Sequence, residues 1–207
     1  MSELTIDLLR HGEPIGGKKY RGQTDDALTN AGWQAMDEMV ALSPSQTWDK
    51  IISSNLSRCS EYAQKLALSK KIAVTFEENF QEINFGVWEG KTAEEIEQEF
   101  PHTLLEYYKK PYDNTPQDAE SLKDFEKRVL TAWHELILMV LEQNIKHVLF
   151  ISHSGVMRTI LSEVLQIERL STYHFDLPYA TFIRLKLYID VGDVYAQIQH
   201  YAIPRKE

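Results

Sequence analysis

Cysteine is nearly missing from this 207-residue chain: Cys59 stands alone, which excludes an internal disulfide framework and a Cys-rich zinc site. No apolar run approaches the length of a bilayer span, so no membrane partner is expected. The opening MSELTIDLLRHGE has neither a basic n-region nor a long apolar core. The expectation is therefore no signal peptide and a cytoplasmic location. A net positive charge is missing too. With a formal charge of −9, nucleic acid is not expected as a partner, because backbone phosphates need a basic face. A small anionic substrate is a different matter, since a pocket can be locally cationic in an acidic protein. Repeats, low-complexity tracts and linkers are not seen, and the length suits one domain over residues 1–207 with a sizeable core.

What the chain does contain is an alternation of strand-like and helix-like segments. Thr5 to Leu9 reads as a buried strand, and the Gly-rich, polar residues 12–27 read as a loop. Thr29 caps a predicted helix over about 31–42, with Ala35, Met36, Met39 and Val40 inward. WDKIISS (48–54) is a second strand, followed by a helix over 56–68 and the strand IAVTF (72–76). Thr92 and Glu95 form a capping-box pattern, and 121–142 gives a long amphipathic helix. Between them, Lys110 to Glu120 is the best loop candidate. HVLFIS (147–152) is the most strand-like run, and SGVMRTILSEVL after it is helical. TFIRLKLYI and DVYAQIQHY flank Val191-Gly192-Asp193, which reads as a hairpin. The expected fold is α/β: a three-layer sandwich with a mainly parallel central sheet, helices on both faces and a C-terminal antiparallel hairpin.

In such folds ligands gather at the carboxyl ends of the strands. Three predicted strands end in chemically loaded residues: Arg10-His11, Ser53-Ser54 with Arg58 close behind, and Ser152-His153. His11 alone would equally suit a solvated strand end. Its repetition as His153 before a helix makes the pair a candidate site, because N–H groups at a helix start, here those of Ser154 and Gly155, favour anions. Arg10 and Arg58 add permanently charged donors suited to phosphate oxygens. A proton donor for a leaving oxygen is also needed, and Glu82 in QEINFGVWEG is the candidate.

These residues resemble the motifs of the histidine phosphatases, the phosphoglycerate mutase-like superfamily. The resemblance rests on Arg10-His11-Gly12 after the first strand, on RGQTDDALTNAGWQA, and on Ser54-x-Leu56-x-Arg58. EINFGVWEG and ISHSGVMR complete the series, in the family's order, over about residues 4–165. It implies that His11 attacks phosphorus and carries a transient phosphohistidine. Arg10, Arg58 and His153 would bind the transferring phosphoryl group, and Glu82 would protonate the departing alcohol and then accept a proton from water. Arg21, Gly22, Gln23 and Ser154 would face the substrate. No metal and no cofactor is implied.

Two departures stand out. Pro14 occupies a position where the family often has threonine, and Ile15-Gly16-Gly17 lacks the asparagine that many members place there. Either the N–H groups of Gly16 and Gly17 approach the anion instead, or the stretch is a surface turn. Mutases resembling this family carry a longer, basic insertion after the acid motif. The segment TAEEIEQEFPHTLLEYYKKPYDNTPQDAE is short and acidic and offers only Lys109 and Lys110, which favours a phosphatase. Size and the Trp-Glu-Gly element look most like the α-ribazole phosphatase branch. The alternatives are mutase-type phosphoryl transfer and a non-catalytic phospholigand-binding protein. The expected partner is a small phosphomonoester, and a homodimer through the hairpin or an edge strand stays open. Glu89, the four tryptophans and the histidines other than His11 and His153 read as structural or surface residues.

Overall fold

The computed structural model describes residues 2–43, 47–190 and 193–204. Its strands are β1 (Ser2–Arg10), β2 (Lys50–Ser54), β3 (Ala73–Glu77), β4 (His147–Ser152), β5 (Phe182–Asp190) and β6 (Asp193–Ala202). The helices are α1 (Asn30–Leu42), α2 (Ser57–Lys70), α3 (Ala93–Glu99), α4 (Thr103–Lys109), α5 (Leu122–Glu142) and α6 (Ser154–Leu165). The strands form one sheet in the order β3-β2-β4-β1-β5-β6. The first four strands in that order pair in parallel, and β5 and β6 join antiparallel. The expected α/β architecture is therefore what the chain adopts, with its C-terminal antiparallel pair. Of the predicted hairpin turn, Val191 and Gly192 lie outside the described residues.

β1 shows why the sheet is covered on both sides. Leu4, Ile6 and Leu8 join a cluster with α5 and α6, while Leu9 joins a second cluster with α1 and α2. A central strand buried on both faces reads as nearly continuous apolar sequence. Its exception is Asp7, which is fully buried yet fully partnered. Arg184 grips it through Nε and Nη2 at 2.7 Å each, Trp48 Nε1 donates at 2.7 Å, and His147 Nε2 lies 2.9 Å away. Burial alone would raise the pKa of this carboxyl. The bonds from Arg184, His147 and Trp48 outweigh it and hold the pKa below the ordinary value.

Local signals set the helix starts. Thr29 Oγ1 accepts the Gly32 N–H at 2.9 Å, Ser121 caps α5, and Thr92 with Glu95 closes the predicted capping box on α3. The turn at 110–120 agrees with the loop expectation. α4 was not predicted; it packs Tyr107 against Trp88 and Ile96 in a third, smaller cluster.

Candidate active site

The ends of β1 and β4 lie side by side, Arg10 in register with Ser152. The His11 N–H then donates to the Ser152 carbonyl at 2.9 Å, and His11's own carbonyl accepts from Ala180 N–H at 3.0 Å. Fixed in this way, the His11 and His153 rings stand 5.1 Å apart between centroids, tilted by 59°. His11 Nδ1 lies 2.7 Å from the Gly12 carbonyl oxygen. A carbonyl only accepts, so Nδ1 carries the proton and Nε2 keeps its lone pair. Gly12 is required here for a packing reason: a Cβ would sit 2.2 Å from the Gly32 carbonyl oxygen at the start of α1.

Burial first, then the charges of Arg10 and Arg58, push the His11 pKa well below the ordinary histidine value. Burial and Arg58 do the same to His153, whose Nε2 is 2.9 Å from Ser54 Oγ. Both imidazoles are thus neutral at neutral pH. The guanidinium of Arg10 lies over the Tyr179 ring at 4.4 Å and donates through Nη1 to the Leu177 carbonyl. Arg58 is fully buried and spends Nη1 and Nη2 on the carbonyls of Thr24 (2.8 Å) and Gly22 (2.6 Å). The Nε–H groups of Arg10 and Arg58 are buried and find no hydrogen-bond partner among the described residues. Buried donors of this kind are rare in folded proteins and call for an acceptor.

Glu82 reaches the same place from the segment after β3. Its Oε2 accepts the Gly155 N–H at 2.9 Å and lies 3.4 Å from Ser154 Oγ, while Oε1 accepts the Ile83 N–H at 3.2 Å. The Gly155 N–H, expected to favour an anion at the helix start, thus holds the protein's own carboxylate. A Cβ at Gly155 would lie 2.1 Å from Glu82 Oε1, so any side chain there must push the carboxylate aside.

The structure places the remaining predicted residues differently from one another. Arg21 reaches the cavity wall, but its donors are committed to Asp26 (2.6 Å) and to the carbonyls of Gly17 and Ile15 (2.6 Å each). It pins the Ile15-Gly16-Gly17 turn, whose glycines adopt φ of +93° and +74°. Gly22 offers its carbonyl to Arg58, and the Gln23 side chain meets Asn84 at 3.4 Å. Neither of these two residues lines the cavity. Both are organised by Glu89, which accepts from the N–H groups of Gly22, Gln23, Thr24 and Phe85, in keeping with its structural reading.

His11, Arg10, Glu82 and Ser154 open onto a cavity of about 310 Å³, with Arg58 and His153 buried behind them. The cavity also contains residues that the sequence reading missed, among them Arg158, Tyr173 and Tyr179. Only Arg158 carried a usable signal: it falls four residues after Ser154 in the ISHSGVMR motif, hence on the same helix face. The basic residues of the wall are not Lys109 and Lys110 but Lys19, Arg158 and Arg169, together with Arg10 and Arg21.

A family model for the histidine phosphatase superfamily (branch 1) matches residues 6–196. The chain belongs to that superfamily. Phosphoserine phosphatase 1 of Hydrogenobacter thermophilus is 26% identical to this histidine phosphatase over 179 residues, covering 84% of the chain and 82% of that protein. Among solved structures, YhfR of Bacillus stearothermophilus superposes with a TM-score of 0.81 at 24% identity, over 95% of this chain and 96% of that one. The α-ribazole phosphatase of Shigella flexneri does so with 0.77 at 22% identity, over 99% and 100%. These two likenesses establish the shared fold of this histidine phosphatase. No helix among its described residues is long and apolar enough to cross a membrane.

Proposed function

We propose that this histidine phosphatase hydrolyses a small phosphorylated metabolite through a phosphohistidine on His11, without a metal ion. The observation that carries this reading is the pairing of a neutral, buried imidazole with two buried arginine Nε–H groups, the imidazole Nε2 and both Nε–H groups lacking a partner among the described residues. A nitrogen nucleophile needs its lone pair, and phosphoryl transfer needs positioning and charge neutralisation more than covalent help. Fixed guanidinium donors supply both.

In the first step His11 Nε2 bonds to phosphorus, the P–O ester bond breaks, and a proton on the Glu82 carboxyl passes to the leaving oxygen. In the second, Glu82, now a carboxylate, takes a proton from water. The water oxygen bonds to phosphorus, the P–N bond breaks, and phosphate and free His11 return. Arg10, Arg58 and His153 hold the phosphoryl oxygens, and Ser154 steadies Glu82. Water rather than a rebound product is the acceptor, a reading supported by the short acidic segment over 92–120, which brings no basic side chain to the cavity. α-Ribazole 5′-phosphate is the substrate that the family resemblance suggests.

The test is a panel of α-ribazole 5′-phosphate, sugar phosphates and 3-phosphoglycerate, assayed with chelator present and with free phosphate and isomerised product separated. Phosphate release in chelator is the expected result. Isomerisation alone would establish a mutase, turnover only with added metal would remove the metal-free mechanism, and binding without turnover would establish a phospholigand-binding protein.

A further inference from the structure

His153 is fully buried, and a neutral imidazole has one N–H to give and one lone pair to receive. Which nitrogen carries the proton decides where that single N–H points. The neighbours of the ring settle the choice. Nε2 lies 2.9 Å from Ser54 Oγ, whereas Nδ1 has no oxygen or nitrogen partner among the described residues.

Ser54 reaches this place from the end of β2. Ser53 is in register with Ile151 of β4, so the next residues of the two parallel strands bring Ser54 to His153. Ser54 is itself fully buried. Its hydroxyl oxygen accepts the Leu56 N–H at 3.3 Å, just ahead of α2, and that bond uses one lone pair. The hydroxyl proton still needs an acceptor, and His153 Nε2 is the only one it meets among the described residues. Were Nε2 the protonated nitrogen, Ser54 would accept twice and bury its own O–H without a partner. An unsatisfied buried donor makes that the costlier arrangement.

Cys59 is the other neighbour of the ring, and it does not choose between the nitrogens. Its Sγ lies 3.9 Å from Nδ1 and 3.7 Å from Nε2, while its S–H donates to the Ser152 carbonyl at 3.6 Å. Burial pushes the thiol pKa up, so the group stays S–H and brings no charge to the imidazole.

Resting on the phosphatase reading above, we propose that Ser54 is a positioning residue: its hydroxyl donates to His153 Nε2 and so keeps the proton on Nδ1, the N–H that His153 offers to the phosphoryl group. Ser54 touches no substrate atom and acts only through the imidazole. The two histidines then carry the proton on the same nitrogen for opposite uses. His11 keeps its Nε2 lone pair for phosphorus, and His153 keeps an N–H for oxygen. A reversed tautomer of His153 would turn a lone pair toward phosphoryl oxygens, which are themselves acceptors.

Nitrogen-15 NMR near neutral pH tests this, with the His153 signals identified by their loss in His153→Asn. The wild type should show a protonated Nδ1 and an unprotonated Nε2, and added inorganic phosphate should shift the Nδ1 resonance more than the Nε2 resonance. Ser54→Ala should lose the tautomer pattern, and Ser54→Thr, which keeps the hydroxyl, should retain it. Calorimetry with inorganic phosphate gives a second readout that does not depend on turnover. Ser54→Ala should bind phosphate roughly 10- to 100-fold more weakly, the effect of one hydrogen bond to a charged group, and Ser54→Thr should stay within about threefold of wild type. Melting temperatures measured alongside separate this loss from a loss of folding. A protonated Nε2 in the wild type, a phosphate-induced shift confined to Nε2, an unchanged tautomer in Ser54→Ala, or equal phosphate affinity in Ser54→Ala and wild type overturns the proposal. The expected tautomer and affinities with no phosphate released from any ester would instead overturn the phosphatase reading and leave the role of Ser54 standing.

Discussion

The N–H of Gly155, in the first turn of α6, donates to Glu82 Oε2 at 2.9 Å, although the two residues are 73 positions apart in the chain. The contact joins the carboxyl from the segment after β3 to the helix that follows His153, so the proton donor is fixed relative to both histidines. It also depends on glycine, because a Cβ at 155 would lie 2.1 Å from Glu82 Oε1.

Gly155→Ala should therefore displace the Glu82 carboxyl while leaving the fold intact. Loss of a positioned general acid lowers kcat by roughly 10²-fold or more. The inhibition constant for inorganic phosphate should change only a few-fold, since Arg10, Arg58 and His153 are untouched. Steady-state kinetics with phosphate as inhibitor checks both numbers. An unchanged kcat would mean that Glu82 is not the acid.

The His11 and His153 rings should remain neutral through pH 6.5. Burial and neighbouring arginines lower both pKa values, so protonation is postponed to lower pH. The sign for stability follows from linkage. The unfolded chain takes up these protons near its ordinary histidine pKa of about 6.5, before the folded one does. The stability contributed by the two neutral rings is fully present above that pH and declines as pH falls below it. Ring-proton NMR titration, with His11 identified by the signal lost in His11→Ala, measures this directly. A midpoint near 6.5 for His11 would contradict the site electrostatics.

Asp7→Asn should destabilise the protein by about 3–5 kcal/mol, because it breaks a buried ion pair from one side only. For a chain of this size that corresponds to a Tm lower by roughly 6–20 °C. The wild-type carboxyl titrates below its ordinary value, so its contribution is present above a pH of about 3.9 and is lost as pH falls through the lower folded pKa. Calorimetry across pH should show a flatter acid limb in the variant than in the wild type. A variant as stable as the wild type would remove the Asp7–Arg184 pair from the list of what holds the sheet together.

Most of the sheet was legible in the sequence because its signals are local. β1, β2 and β4 are short apolar runs that stop at polar residues, and Thr29, Thr92 and Ser121 cap α1, α3 and α5 as their types suggest. α4 was missed because it spans only seven residues and starts after His102, which has a left-handed φ of +68° and makes no side-chain cap. The chemistry followed the same division. The five residues carried by motifs come together around the ends of β1 and β4. Beyond the motif residues and Arg158, the cavity wall did not follow from any local pattern, because Tyr173 and Tyr179 arrive from the connection between α6 and β5, and Tyr20 meets Tyr108 across 88 positions. Arg21, a motif position expected to face the substrate, does line the cavity, and it also ties down its own loop through Asp26 and the carbonyls of Gly17 and Ile15.

The central claim is that His11 becomes covalently phosphorylated, and rapid-quench trapping with a ³²P-labelled substrate tests it most directly. Wild-type protein should yield labelled chain within one turnover, stable to alkali and labile to acid, with the label mapped to the peptide containing His11. His11→Ala should yield none and should lose turnover, while Glu82→Gln should slow both formation and breakdown of the label. Labelled protein in His11→Ala, or wild-type turnover with no labelled chain at any time point, would contradict the account.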